Sequence, residues 1–194
     1  MSAGFVAAEM RASIAVKQAM LEDAALLAQI EQAAQMLIAA YRAGGKVLVA
    51  GNGGSAADAQ HIAAEFVGRF AHDRAALPAS ALTTDSSILT AVGNDYGFES
   101  VFSRQLQANA RPGDVFLALS TSGNSPNILH ALETARQLEL TRIGLSGETG
   151  GRMAALCTYC VRVPSAETPR IQEAHITIGH ILCGAVERAL FGGD

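Results

Sequence analysis

His61 and Glu65 stand four residues apart in an apolar-periodic stretch, so on a helix both side chains leave one face about a turn apart. An imidazole and a carboxylate at that spacing suit a shared metal ion or a paired proton relay, and the same pattern also marks plain solvated helix faces. The last apolar-periodic stretch carries Gln172, Glu173, His175 and His180. His180 lies among Ile176, Ile178, Ile181 and Leu182, which fits either a satisfied core histidine or an active-site residue facing a cleft. Gln172 and His180 are about 12 Å apart along a helix axis. They share one ligand only if both lean inward along the helix, or if one serves a neighbouring subunit's site.

Two loops offer binding chemistry. Ser120-Thr121-Ser122-Gly123-Asn124-Ser125 places hydroxyls at Ser120, Thr121, Ser122 and Ser125 between an apolar run and Pro126. Free backbone N–H groups and a helix dipole there favour a dianion, which makes the loop a phosphate cradle without a counter-charge. The plainer reading is a serine-rich turn with a good N-cap. Gly51-Asn52-Gly53-Gly54-Ser55-Ala56 matches G-x-G-x-x-A, but residues 66 to 75 hold no strand ending in an acidic residue, so the dinucleotide reading is weak. No Gly-Lys-Ser/Thr follows, which excludes a P-loop. What remains is a tight turn whose Asn52 and Ser55 point polar groups at a ligand, or merely a turn. Cys157-Thr-Tyr-Cys160 matches C-x-x-C, yet it runs into a strand and not from a strand loop into a helix, so both cysteines read as packing residues.

The elements that must position these groups follow from periodicity and punctuation. Leu27, Ile30, Ala34, Leu37 and Tyr41 form a leading helical stripe ending at Gly44-Gly45, suited to cover the core or a partner helix. Lys46–Ala50 reads as a buried strand, with Ser55 capping a helix to about Phe70. The unit recurs: Asp114–Leu119 is a strand, and Ser125-Pro126 opens a helix to about Leu140. Thr141–Leu145 and Tyr159–Val163 are further strands, with a short helix around Met153 between them, and Pro169 to about Phe191 is a long terminal helix. Ala79–Leu82 is a weaker strand, and helical patches at Ser87–Val92 and Glu99–Ala110 fill the middle. Strands that alternate with helices, each a short apolar run, imply a parallel sheet covered on both faces, with ligands at the carboxyl ends of the strands.

Composition removes several function classes. The chain has 194 residues, 14 Lys plus Arg against 18 Asp plus Glu, a formal charge of −4, two lysines and no Trp, so the basic and aromatic footprint of a nucleic-acid binder is missing. Its longest uncharged stretch, Val115–Leu132, contains the serine loop and does not read as a membrane span. Glu9 and Arg11 interrupt the N-terminal region, so no secretory signal is read and a cytoplasmic location is expected, with Cys157, Cys160 and Cys183 as free thiols. With no repeat, linker or composition break, one domain over residues 1–194 is expected.

Gly51-Asn-Gly-Gly-Ser-Ala-Ala-Asp-Ala-Gln-His61, Leu82-Thr-Thr-Asp85, Gly93-Asn-Asp-Tyr-Gly97, Ser120-Thr-Ser-Gly-Asn-Ser125 and Arg170-Ile-Gln-Glu173 with His180 occur in this order over nearly the whole chain. Together they resemble the sugar isomerase (SIS) domain family, and within it the phosphoheptose isomerases, which interconvert sedoheptulose 7-phosphate and D-glycero-D-manno-heptose 7-phosphate. The resemblance implies a single SIS domain, an α/β doubly wound parallel sheet sandwich of flavodoxin-like type with long N- and C-terminal helices, residues 1–44 serving oligomer packing. It implies a cytoplasmic homotetramer with active sites at subunit interfaces, a small sugar phosphate as substrate, no nucleic-acid or membrane partner, and heptose supply for lipopolysaccharide, capsule or surface glycans. By the same resemblance Ser120, Thr121, Ser122 and Ser125 hold the phosphate; Asn52, Gly53, Gly54, Ser55, Asn94, Asp95, Glu65 and Gln172 meet the substrate; and His61, Glu65, Gln172 and His180 bind Zn²⁺. Glu65 suits the base of an aldose–ketose isomerisation and His180 its acid or ring-opening catalyst. The alternative is a non-catalytic SIS module that binds a replication initiator; such relatives keep the fold and the serine loop but lose the residues matching Glu65 and His180, both of which are present here.

Overall fold

The computed structural model describes residues 3–192. Five strands, β1 (Val47–Ala50), β2 (Ala79–Ala81), β3 (Val115–Ser120), β4 (Thr141–Ser146) and β5 (Tyr159–Arg162), form one sheet in the order β2-β1-β3-β4-β5. Every pairing is parallel, with Val47 beside Ala79 and Val115, Ser120 beside Ser146, and Gly144 beside Cys160. This is the doubly wound order, and the direction of winding reverses between β1 and β3.

The two-residue period of the strands divides the core. Val47, Val49, Val115, Leu117, Leu119, Ile143, Leu145 and Val161 pack under α2 (Ala24–Arg42), α3 (Gly54–Val67) and α7 (Thr168–Phe191). Leu48, Ala50, Phe116 and Ala118 pack under α5 (Ser103–Asn109) and α6 (Pro126–Gln137), with α4 (Ser86–Tyr96) outside them contributing no buried residue. Asp114, almost fully buried, accepts from Lys46 N at 2.9 Å and Lys46 Nζ at 2.6 Å and so joins the entries of β1 and β3.

Two local expectations are refined. The leading segment is two helices, α1 (Ala3–Glu22) and α2, because Asp23 Oδ1 accepts from the amides of Ala25 and Leu26, both at 3.0 Å, and starts a new helix. At α3 the N-cap is Gly53, at φ 56°, and not Ser55, which lies inside the first turn and is buried. A side chain at Gly51 would collide with Ser55, so the chain turns too tightly for a serine cap and uses glycine's positive φ instead. Among the described residues no helix is long and apolar enough to cross a membrane.

Candidate active site

Helices α3 and α7 lie side by side and run parallel, because glycines let them approach. A Cβ on Gly179 would stand 2.8 Å from Ile62 Cδ1, one on Gly184 3.2 Å from the Phe70 ring, and one on Gly54 2.5 Å from Gln172 Nε2. This register puts His180 against His61, with Nε2 to Nε2 at 3.3 Å and the rings edge to face. Glu65 Oε1 lies 3.0 Å from His61 Nε2. One ligand atom from each of the three falls within 4.8 Å of the others, and all three side chains belong to one chain. Ligands around a tetrahedral zinc at about 2.0–2.1 Å stand about 3.3 Å apart, so the donor spacing and the N, N, O donor set fit such an ion. Gln172 lies elsewhere, over Gly54, about 10 Å before His61 along α3.

The second half of the site lies at the reversal between β1 and β3. Asn52 and Asn127 exchange two amide hydrogen bonds, each 2.9 Å, across the gap between the two loops. They line a crevice of about 360 Å³ with Phe98, Glu99, Ser125 and Pro126. The Ser120 and Ser125 hydroxyls are 3.0 Å apart, and Ser122 Oγ accepts from Asn124 N at 3.1 Å. Ser125 is the N-cap of α6 but makes no side-chain capping bond, so no side-chain oxygen fills the start of α6 and its dipole is open to an anion. The loop is held from behind: Gly147 N donates to Thr121 O at 3.0 Å, Met153 N to Gly123 O at 3.0 Å, and Arg152 N to Asn124 Oδ1 at 3.0 Å.

A sequence model of the SIS domain matches residues 11–147. The chain is 60% identical over 187 residues to the phosphoheptose isomerase of Aneurinibacillus thermoaerophilus, covering 96% of this chain and 94% of that protein. The chain belongs to the phosphoheptose isomerase family of SIS-domain proteins. The solved phosphoheptose isomerase of Francisella tularensis superposes with a TM-score of 0.92 at 38% identity, covering 97% of this chain and 100% of that one. For the enzyme from Neisseria gonorrhoeae the TM-score is 0.89 at 44% identity, with 95% and 97% covered.

Set against the residues singled out for this family, the structure gathers His61, Glu65 and His180, and separately gathers Asn52, Ser120 and Ser125. It leaves Asn94 and Asp95 exposed at the end of α4, bonded to each other at 2.8 Å. Gly53 and Gly54 form the tight entry to α3, Thr121 is half-buried, and Ser122 is exposed. Four further residues brace the candidate site and escaped the sequence reading. Asn127 fixes Asn52. Asp58, one turn before His61, has a buried Oδ2 without a partner; burial raises its pKa and the His61 and His180 charges oppose that. Arg74 donates Nη2 to Glu65 O at 2.8 Å and Nη1 to Phe66 O at 2.9 Å, capping α3 where the catalytic candidate sits. Glu187 binds Arg74 Nε at 2.9 Å and the amides of Phe70, Ala71 and His72 at 2.8–3.0 Å. Only Asp58 carried a signal in the sequence, its i,i+3 spacing to His61.

His175, on α7 within a turn of Gln172, is fully buried, and neither ring nitrogen has a hydrogen-bond partner. Burial lowers its pKa to about 4 from 6.5, only partly offset by the nearby Ser146 backbone. A folded pKa below the unfolded one means that the unfolded chain takes up the proton first, so the stability is present above about pH 6.5 and lost as pH falls towards 4. About 3 kcal/mol is at stake, roughly two of them by pH 5. Urea midpoints at pH 7.5 and pH 5 should show this loss in the parent and much less of it in His175→Gln.

Proposed function

We propose that the protein is a phosphosugar aldose–ketose isomerase that converts sedoheptulose 7-phosphate into D-glycero-D-manno-heptose 7-phosphate through an enediolate, the first step towards nucleotide-activated heptose for lipopolysaccharide, capsule or surface glycans. The observation that carries this reading is the His61–Glu65–His180 cluster standing intact in a chain 60% identical to a phosphoheptose isomerase. Retention of Glu65 and His180 argues against the initiator-binding alternative.

Moving a carbonyl from C2 to C1 requires a base for the C1 proton, its return to C2, and an acid for the oxygens. Glu65 Oε1 faces His61, leaving Oε2 to take and return the carbon-bound proton. His180 exchanges a proton with the sugar oxygens, from Nδ1 or Nε2. His61, Glu65 and His180 would hold a zinc ion, with Gln172 of a neighbouring subunit as the fourth donor, and the ion would polarise those oxygens when bound. The hydroxyls of Ser120, Thr121, Ser122 and Ser125 and the α6 dipole hold the phosphate, while Asn52, Gly53, Gly54, Ser55, Asn94 and Asp95 place the sugar. A coupled assay with sedoheptulose 7-phosphate tests the reading directly: turnover is expected, and none with or without added Zn²⁺ overturns it. Thr121→Ala and Ser125→Ala should each raise KM about tenfold, since a hydrogen bond to a charged group contributes about 1.5–3 kcal/mol. An unchanged KM in both places the phosphate elsewhere.

The proposal includes a cytoplasmic homotetramer in which the whole chain, residues 1–194, works as one domain. Phe5, Val6, Met10, Ile14 and Leu21 of α1 are each more than half exposed, and a groove of about 1180 Å³ between α2 and α7 opens beside His180. Both features favour packing through residues 1–44 and α7. Because Gln172 and the serine loop lie at the other end of α3 from Glu65 and His180, we place the serine loop and Gln172 of one subunit against the cluster of another. Mixing Glu65→Gln with Thr121→Ala under subunit exchange should therefore return a fraction of sites with the parent's KM. Mixing Glu65→Gln with His180→Gln should restore no activity, because those two residues share a chain; the reverse pattern refutes the arrangement.

A further inference from the structure

Cys157 and Cys160 take no part in the chemistry above, yet the fold brings their sulfurs together. Cys157 follows the 3-10 turn Arg152–Ala155, and Cys160 lies in β5, an edge strand of the sheet, paired with Gly144. The absent side chain of Gly144 makes the room: a Cβ there would stand 2.6 Å from Cys157 Sγ and 3.4 Å from Cys160 Sγ. Both sulfurs thus crowd the same glycine, and Ser146 Oγ lies 3.4 Å from Cys160 Sγ. Both cysteines are partly exposed, on the sheet face opposite α2 and α7 and hence away from the packing surface proposed above.

We propose that Cys157 and Cys160 form a peroxide-sensitive dithiol whose closure to a disulfide within the subunit loosens the phosphate loop. The coupling to function rests on the isomerase reading; the modification site itself does not. The neighbouring Cys157 thiol, then the Ser146 hydroxyl and the charge of Arg162, outweigh burial and hold the Cys160 thiol below its ordinary range, while the proximity of Cys160 and burial push Cys157 up. Cys160 is therefore the thiolate that attacks, as expected of a cysteine in an electropositive, partly open setting. It displaces hydroxide from hydrogen peroxide and becomes a sulfenic acid. The Cys157 sulfur then attacks the Cys160 sulfur and water leaves, so that two thiols and one peroxide give one disulfide and two waters.

The consequence reaches the serine loop through short links. Cys157 N donates to Met153 O at 3.2 Å, Met153 N to Gly123 O at 3.0 Å, and Arg152 N to Asn124 Oδ1 at 3.0 Å. Gly151 packs so closely on the loop that a Cβ would stand 2.5 Å from Ser122 O. Drawing the sulfurs to about 2.05 Å displaces the turn that braces Gly123.

The test treats the purified full-length protein with hydrogen peroxide. Peptide mapping should show the segment holding Cys157 and Cys160 lighter by two hydrogens, reversed by dithiothreitol. KM for sedoheptulose 7-phosphate should rise fivefold or more with kcat within twofold, and calorimetry should show weaker binding of inorganic phosphate. Cys157→Ser and Cys160→Ser should keep the untreated parent's KM before and after treatment. Over-oxidation of Cys160 without a disulfide, or a disulfide that leaves both KM and phosphate binding unchanged, overturns the proposal. Absence of turnover before treatment counts against the isomerase reading alone, since the mapping and the phosphate titration still report on the dithiol.

Discussion

Glu65→Gln should lower kcat for sedoheptulose 7-phosphate by about 10²–10⁴-fold, the range for removing a positioned general base, with KM changed little. Glutamine keeps the size and one acceptor oxygen for His61, so the geometry survives while the proton-accepting oxygen is lost. His180→Gln should fall in the same range because its ring lies 3.3 Å from His61 and completes the same cluster. Neither change should unfold the chain, since the cluster is on the outer surface of α3 and α7, with the His61 side chain 46% exposed. A kcat within threefold of the parent in either variant would remove that residue from the chemistry.

The largest stability effect is expected at Glu187. Its carboxylate and the Arg74 guanidinium are each only 2% exposed, and Glu187 accepts from three backbone amides as well as Arg74. Burial raises the Glu187 pKa, but hydrogen bonds from the amides of Ala71, Phe70 and His72 and from the Arg74 side chain outweigh it and hold it at about 2, below the ordinary 4.5. The stabilisation is thus present above about pH 4.5 and lost only as pH falls towards 2, a window below that of His175. Glu187→Gln turns an amide N–H towards backbone N–H donors and leaves Arg74 buried without its counter-charge. Breaking a buried pair in this way costs about 3–5 kcal/mol. For a chain of this size that lowers Tm by roughly 10 °C. A Tm within 2 °C of the parent contradicts this account of the loop after α3. Because Arg74 also caps the turn of α3 that carries Glu65, kcat per folded molecule should fall too.

How far the sequence discloses this molecule depends on whether each signal is local. The strands β1 and β3 are legible as apolar runs ending in a glycine or serine loop, and Ser125-Pro126 marks the start of α6 because proline's fixed φ suits the first helical turn. The break at Asp23 is hidden, since the apolar stripe of α2 has no flanking glycine or proline before it, and only the two amides accepted by Asp23 reveal the cap. Ser55 misleads because serine is the better cap by propensity, whereas the tightness of the turn at Gly51 decides the matter. The His61–Glu65 pair is visible from its spacing on one helix. That His180 joins it, and that Gln172 does not, depends on the parallel packing of α3 on α7, which no local pattern encodes. Arg74–Glu187 and Asn52–Asn127 are invisible for the same reason, with partners 113 and 75 residues apart. The cysteines were legible as a motif, but their meeting over Gly144 depends on the register of β4 with β5.

The central claim is that Glu65 moves the carbon-bound proton. Proton NMR of the product formed from sedoheptulose 7-phosphate in D₂O reads this directly. The parent protein should deliver solvent deuterium to C2 of the heptose 7-phosphate, and Glu65→Gln should deliver it at least 100-fold more slowly. Deuterium entering C2 at the parent rate in Glu65→Gln would contradict the account.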